Sequence, residues 1–505
     1  MFNDLLQGFV TVLTPENLLF ALIGCVLGML VGILPGFGPA AATALLLPLT
    51  FALEPVTAII MLAAILYGAA YGGTITAVLI NVPGETSSVA TTLDGYQMAK
   101  QGRAGPALSI AAIGSFIGGL IGVVGFVAAA PIANAALAFG PAETFALTLM
   151  GLTLVVGLSS GSIVKALIAA LIGLAIGVVG LDPANGVPRF TYGSLELFDG
   201  LNFVPIIMGL FGFSELFTSI ERNLTFSAAP IRVGKILPSR DDLRRSRFPV
   251  LRGSLFGFGT GLLPGSPGAI AAFGSYVVER RLSKTPERFG KGAIEGVAAP
   301  ESANNANAIS GMIPMFTLGI PTSATMAIMM GAFIANGLVP GPLLFSDHPD
   351  VAWGIIASLV VGNVILLILN IPLVRVWILF LRTPYPILYS IVIGFMIVGA
   401  FSLDGSVFNI YVMLGAGVVG YLLRKAEIPL APIALTVVLG PVMERSLNTS
   451  LQISKGTFTI FAQSALAMIF LILTAVILVL ASTKPLYRPL VAKLSGRIVR
   501  SRTRA

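Results

Sequence analysis

The sequence is a succession of apolar runs, and two of them are broken at their centre by the same tripeptide, Leu34-Pro35-Gly36 and Leu263-Pro264-Gly265. Proline removes a backbone donor, and a helix does not run through Pro-Gly undisturbed. In lipid, the freed backbone groups must face protein or a water-filled cavity, because hydrocarbon satisfies none of them. The pattern therefore predicts an all-α polytopic membrane protein with re-entrant or discontinuous helices. Composition supports this: 56% of residues belong to the AVILMFWYC set and 10% are charged, where a soluble domain carries about 25% charge.

A span needs about 20 apolar residues to cross a core of ~30 Å. Runs of suitable length fall at 18–53 (interrupted), 56–80, 106–131, 140–158, 162–181 and 201–220. A second series occupies 253–278 (interrupted), 306–338, 351–374, 384–402, 406–423, a short run at 428–443, and 458–482. Roughly 10–12 spans are expected. Four segments follow: 1–220, a first membrane repeat; 221–252, a basic cytoplasmic linker; 253–443, a second repeat; and 444–505, an extra span with a basic cytoplasmic tail.

Several classes are excluded. Cys25 is the single cysteine and His348 the single histidine, so no disulfide, Cys-based metal cage or HExxH site can form within the chain. No GxxxxGK[ST] stretch is present. No Lys or Arg precedes Lys100, which is not the pattern of a cleavable signal peptide. Net charge is +8, but the basic residues cluster at 222–252 and 484–504, flanking apolar runs. That is the positive-inside pattern and not a nucleic-acid surface. Gly157-Leu158-Ser159-Ser160-Gly161 matches GxSxG, yet it lies between two apolar runs and follows no strand. An intramembrane enzyme and a passive anion channel are the rival classes; the lone histidine counts against the first.

The halves are related. GCVLGMLVGILPGFGPA from Gly24 aligns without gaps to GSLFGFGTGLLPGSPGA from Gly253. YGGTITAVLINVPG from Tyr71 lies over ISGMIPMFTLGIPT from Ile309, pairing Gly73 with Gly311 and Pro83 with Pro321. Charge suggests opposite orientations: the first broken run has only acidic flanks (Asp4, Glu16, Glu54), and the second has Arg247, Arg252, Arg280 and Arg281. Inverted repeats with broken helices mark secondary transporters, whose site lies at the repeat interface near the midplane.

Four breaks are expected to meet there. Helix N-termini after a break offer free N–H groups and a positive dipole end to an anion. On this basis the anion contacts are Gly36, then Pro83, Gly84, Thr86 and Ser87, then Gly265 and Ser266, and finally Pro321, Thr322 and Ser323. Intramembrane polar groups are expensive and usually functional, which points to Asn81, Glu301, Asn304, Asn305 and Thr325 as ligands of a coupling cation, Na⁺ or H⁺. Asn304 and Asn305 precede the broken helix and would act beside unwound carbonyls; Asp94 and Glu295 lie nearer the interface. The spans hold almost no basic residue apart from Lys165 and Arg375, so an anion's charge would be met by helix ends, hydroxyls and a co-bound cation. No covalent cofactor is expected.

VGILPGFGPA, YGGTITAVLINVPG, TTLDGYQMAKQGRAGPAL, FGKGAIEGVAAPESANNA and TLGIPTSATMAIMMGAF resemble the large membrane subunit of the bacterial tripartite tricarboxylate transporters, over essentially the whole chain. The resemblance implies a multi-pass inner-membrane permease with its C-terminus cytoplasmic. It implies a small partner subunit of about four spans and a periplasmic solute-binding protein that delivers di- or tricarboxylates. Uptake would be secondary active symport, typically with Na⁺. Glu85, Thr86, Thr322 and Pro267 depart from the family pattern at the break tips, so citrate is not implied as the substrate.

Overall fold

The computed structural model describes residues 2–34, 36–159, 162–182, 185–221, 233–266, 268–380 and 385–481. Pro35, Pro267, residues 222–232 at the start of the basic linker and the basic tail lie outside these residues, as does the side chain of Arg375.

The chain is an all-α polytopic membrane protein. Among the described residues eight helices are long and apolar enough to cross a bilayer. The first half runs α1 (Phe2–Val12), α2 (Pro15–Gly32), α3 (Pro39–Leu46), α4 (Pro55–Ile80), α5 (Val89–Lys100), α6 (Ala104–Ala136), α7 (Pro141–Leu158) and α8 (Ile163–Gly177). A two-stranded hairpin, β1 (Gly180–Leu181) and β2 (Pro188–Arg189), pairs Gly180 with Arg189. Then α9 (Phe203–Ile207) continues through a π-helical stretch, Met208–Phe213, into α10 (Ser214–Glu221).

The second half runs α11 (Arg240–Gly261), α12 (Gly268–Leu282), α13 (Glu295–Ser310), α14 (Met312–Leu318), α15 (Ala324–Ala335), α16 (Leu343–Asp347) and α17 (Pro349–Asn370). It continues with α18 (Val374–Phe380), α19 (Tyr385–Ser402), α20 (Val407–Lys425), α21 (Leu430–Ile453) and α22 (Thr459–Gln463). An apolar helix over Ala465–Ala481 follows.

The aligned glycines do equivalent work. Gly24, Gly28 and Gly32 of α2 lie against the backbone of α4 at Met61, Ile65 and Ala69. Gly253, Gly257 and Gly261 of α11 lie against α13 at Ala299, Ala303 and Asn307. One small residue per turn on a single face lets two backbones touch, which is how apolar helices associate where lipid gives no hydrophobic drive. α4 is buried along nearly its whole length, so this pair forms the centre of the first half, and α11–α13 forms that of the second.

Three boundaries differ from the hydropathy reading. The helix before the second break begins at Arg240 and not at 253, 22 residues in all, because the basic stretch joins it: Ser239 caps α11 by accepting from the Asp242 N–H, and Asp242 returns the bond to the Ser239 N–H. The run at 428–443 belongs to a helix of 24 residues that continues through Glu444 and Arg445, Glu444 being neutralised by Arg189 at 2.5 Å. Most consequential, Pro300–Asn307 lies inside α13 and not ahead of it. Its polar side chains are bonded inward, and a hydropathy profile cannot see that.

Buried acids near the basic linker act as staples. Asp94 of α5 accepts from Tyr276 Oη at 2.9 Å and from the Gly292 and Ala293 N–H groups at 2.8 Å each. Glu295 pairs with Arg245, and Glu279 with Arg252. Arg103 reaches Asp242 at 2.5 Å. Burial works to raise the Asp242 carboxyl, but the Ser239 N–H and hydroxyl together with Arg103 hold it below its ordinary value. A depressed folded-state value stabilises the fold above the unfolded value of about 3.9 and is lost as pH falls through the folded one. Asp242→Asn is therefore expected to lower the thermal midpoint at neutral pH, with the gap to the parent protein closing as the pH falls below ~4. A gap unchanged at acid pH would show that Asp242 acts without its charge.

Candidate functional site

The four breaks have paired geometry. Gly36 and Gly265 both take positive φ, 89° and 77°, a region open to glycine at no steric cost. α4 ends on a left-handed cap at Asn81 and α14 on one at Gly319, which are aligned positions. A further aligned pair, Gly84 and Thr322, reaches the aligned carbonyls of Gly73 and Gly311 with different donors. Gly84 N–H reaches the Gly73 carbonyl at 3.4 Å, and Thr322 Oγ1 donates to the Gly311 carbonyl at 2.9 Å. The Gly265 N–H donates to the Thr322 carbonyl at 2.8 Å, tying the two breaks of the second half together.

These breaks surround a cavity of about 460 Å³. The N-termini of α3, α12 and α15 line it, through Pro39, Gly268 and Ala324. Three positive helix ends thus converge on one space, which suits an anion. Of the residues expected from sequence, Gly36 and Thr86 contribute from the first half. Gly265, Ser266, Thr322, Ser323, Thr325 and Asn304 contribute from the second. Ser323 Oγ also caps α15, accepting from the Met326 N–H at 3.2 Å.

Pro83, Gly84, Ser87 and Pro321 stand outside the lining. Gly84 is pressed on Gly73, and Ser87 is buried next to Gly268. Asn81 is exposed at the end of α4.

The expected cation ligands divide. Asn304 and Thr325 line the cavity, where Asn304 Nδ2 donates to Glu85 Oε1 at 3.0 Å. Glu301 and Asn305 belong to a separate buried cluster with α4, α5 and α6. Glu301 is 3% exposed; its Oε1 accepts from Thr91 Oγ1 at 2.5 Å, and its Oε2 from Thr74 Oγ1 at 2.9 Å and Ser115 Oγ at 3.5 Å. Asn305 Nδ2 donates to Ser115 Oγ at 2.6 Å, while Asn305 Oδ1 is buried without a partner. A void of about 10 Å³ lies between Glu301, Thr74 and Tyr71, the size of one water or one small ion. The carbonyls beside Asn304 and Asn305 belong to α13, so the ligands available to a cation in this cluster are side-chain oxygens and not unwound backbone.

Among the lining groups, Asn307, Ser159, Glu215 and Arg424 were not expected from sequence, and Glu85 was expected only as a departure at a break tip, with no contact assigned. Arg424 corrects the expectation that no arginine would be at hand: it pairs with Glu215 at the cavity wall. It stands in the last turn of α20 beside Lys425, so its charge reads in sequence as an ordinary helix-end charge. Ser159, dismissed as part of a turn, lines the cavity while its hydroxyl donates to the Val155 carbonyl.

No solved structure matches this chain. An uncharacterised 52.8 kDa protein from the TAR-I ttuC′ 3′ region of Agrobacterium vitis is 45% identical over 468 residues, covering 92% of this chain and 93% of that protein. An uncharacterised protein from the TAR-II ttuC′ 3′ region of the same organism is 44% identical over 221 residues, 44% of this chain and 91% of that protein. Residues 18–435 match the tripartite tricarboxylate transporter TctA family. The break loops, the convergent helix ends and this match lead to one statement: the chain belongs to the tripartite tricarboxylate transporter TctA family.

Proposed function

We propose that this protein takes up di- or tricarboxylates or related organic anions across the bacterial inner membrane by cation-coupled secondary transport. The observation that carries the reading is the cavity of about 460 Å³ between the breaks of both halves, walled by three helix N-termini and the hydroxyls of Ser266, Thr322, Ser323 and Thr325. The halves are inverted repeats, the α2–α3 and α11–α12 units are re-entrant hairpins entering from opposite faces, and the C-terminus is cytoplasmic. The family works within a tripartite system; here the partners are a periplasmic binding protein and a small four-span subunit.

Cation coupling follows from charge. The cavity lining holds Glu85 and Glu215 against Arg424, so an entering anion meets a surplus carboxylate unless a cation accompanies it. Glu301 has hydroxyl partners and no basic one among the described residues, and an uncompensated carboxylate at that depth favours a bound Na⁺ or H⁺. Ser159, Arg424 and Pro429 lie at helix ends that the loop charges assign to the inner side, so the cavity mouth faces the cytoplasm.

Reconstitution into proteoliposomes with both partners tests this, using citrate, succinate and other labelled carboxylates as probes. Accumulation is expected only with an inward Na⁺ or proton gradient. Uptake indifferent to either gradient would sink the coupling, and uptake without the binding protein would favour a channel.

A further inference from the structure

Among the described residues lining the cavity, Arg424 is the one basic side chain, and Glu85 and Glu215 are the acids. Arg424 Nη1 donates to Glu215 Oε2, while Arg424 Nε is buried without a partner. The guanidinium is thus engaged but holds a donor in reserve. Glu215 in turn sits against the first break: its Oε1 is 2.6 Å from the point where a Cβ on Gly36 would stand. The pair spans from α20 through α10 to the α2–α3 break.

We propose that Arg424 receives a carboxylate of the transported anion, and that Glu215 is its built-in competitor, holding the guanidinium when no anion is bound. This rests on the carboxylate reading above and adds to it the group that recognises the anion and the group that must yield. A guanidinium presents donors in a rigid fork that matches a carboxylate. Glu215 offers Arg424 the same chemical group on a short tether, so one carboxylate exchanges for another and the arginine never stands unpaired. That matters because breaking a buried pair by removing one partner is far costlier than exchanging it. The exchange leaves the net charge of the lining unchanged, so the released Glu215 carboxylate is part of the surplus that the accompanying cation offsets. The displaced carboxylate already lies beside Gly36, so anion entry is felt first at the α2–α3 break.

The test is equilibrium binding of labelled acetate, succinate and citrate to the full chain in lipid nanodiscs, at fixed Na⁺ and pH. Glu215→Gln removes the competitor and is expected to tighten binding of at least one of these anions by roughly tenfold, a gain that misfolding cannot mimic. Arg424→Gln is expected to weaken it by at least about tenfold, with Arg424→Lys in between because an ammonium lacks the fork. In the double variant the gain from Glu215→Gln disappears. Binding by Arg424→Gln equal to that of the parent, or a gain from Glu215→Gln that survives loss of Arg424, overturns the proposal and leaves the carboxylate reading standing. If none of the three anions binds any form, the carboxylate reading fails and the proposal with it.

Discussion

Gly28→Val is expected to remove most folded protein from the membrane. A Cβ on Gly28 would stand 2.8 Å from the Ile65 Cα, and valine adds two methyl groups beyond that. The obstacle is the backbone of α4, which is buried on all sides, so no side chain can turn aside to make room. Overpacking ordinarily costs about 1–3 kcal/mol; here two helices must separate along their shared face, so the cost lies at or above the upper end. Gly257→Val should behave alike, since its added Cβ would meet the Ala303 Cα at 2.6 Å. Gly259→Val on the same helix is the control, because a Cβ there meets nothing within 4 Å. Detergent-extracted yield and thermal midpoint, followed by size-exclusion fluorescence, measure the difference. Equal yields from Gly28→Val and Gly259→Val would refute the packing argument.

Glu301→Gln is expected to abolish gradient-driven accumulation, by about a hundredfold or more, while the protein still assembles. The amide keeps the shape and can still bond to Thr74, Thr91 and Ser115, so the packing of α13 on α4, α5 and α6 survives. It removes the charge that a cation would neutralise, and a lost charge in a buried site costs on the order of 3 kcal/mol or more. Counterflow of preloaded substrate, which needs no net ion movement, should fall much less than accumulation. If accumulation persists at parent levels in Glu301→Gln, the coupling ion binds elsewhere, with Glu85 and Asn304 the next place to look.

The sequence disclosed the fold through its exceptions to hydropathy. Pro-Gly breaks and glycines at four-residue spacing are local signals, and both mark places where backbone meets backbone, so they survive the step to three dimensions. The break loops disclosed about a third of the cavity wall for the same reason. Glu85, Glu215 and Arg424 were harder. Glu85 stands in the second break tip, where it reads as one departure among others. Glu215 and Arg424 are far apart in sequence, the first inside the continuous helix Phe203–Glu221 and the second in the last turn of α20, and nothing local says that α10 and α20 lie side by side. The grouping of Asn304 with Asn305 failed differently: inside one α-helix consecutive side chains point about 100° apart, so neighbours in sequence reach different sites.

Asn304 contacts Glu85 in the cavity, and Asn305, the next residue, contacts Ser115 beside Glu301. A single step of rigid helix, less than a third of a turn, therefore separates the residues that reach the two polar centres. If each is occupied during transport, linkage demands reciprocity: the factor by which the ion improves the anion's affinity equals the factor by which the anion improves the ion's. Coupling strength would then be set by the stiffness of α13 between positions 304 and 305, and it could be weakened by mutations that touch neither ligand.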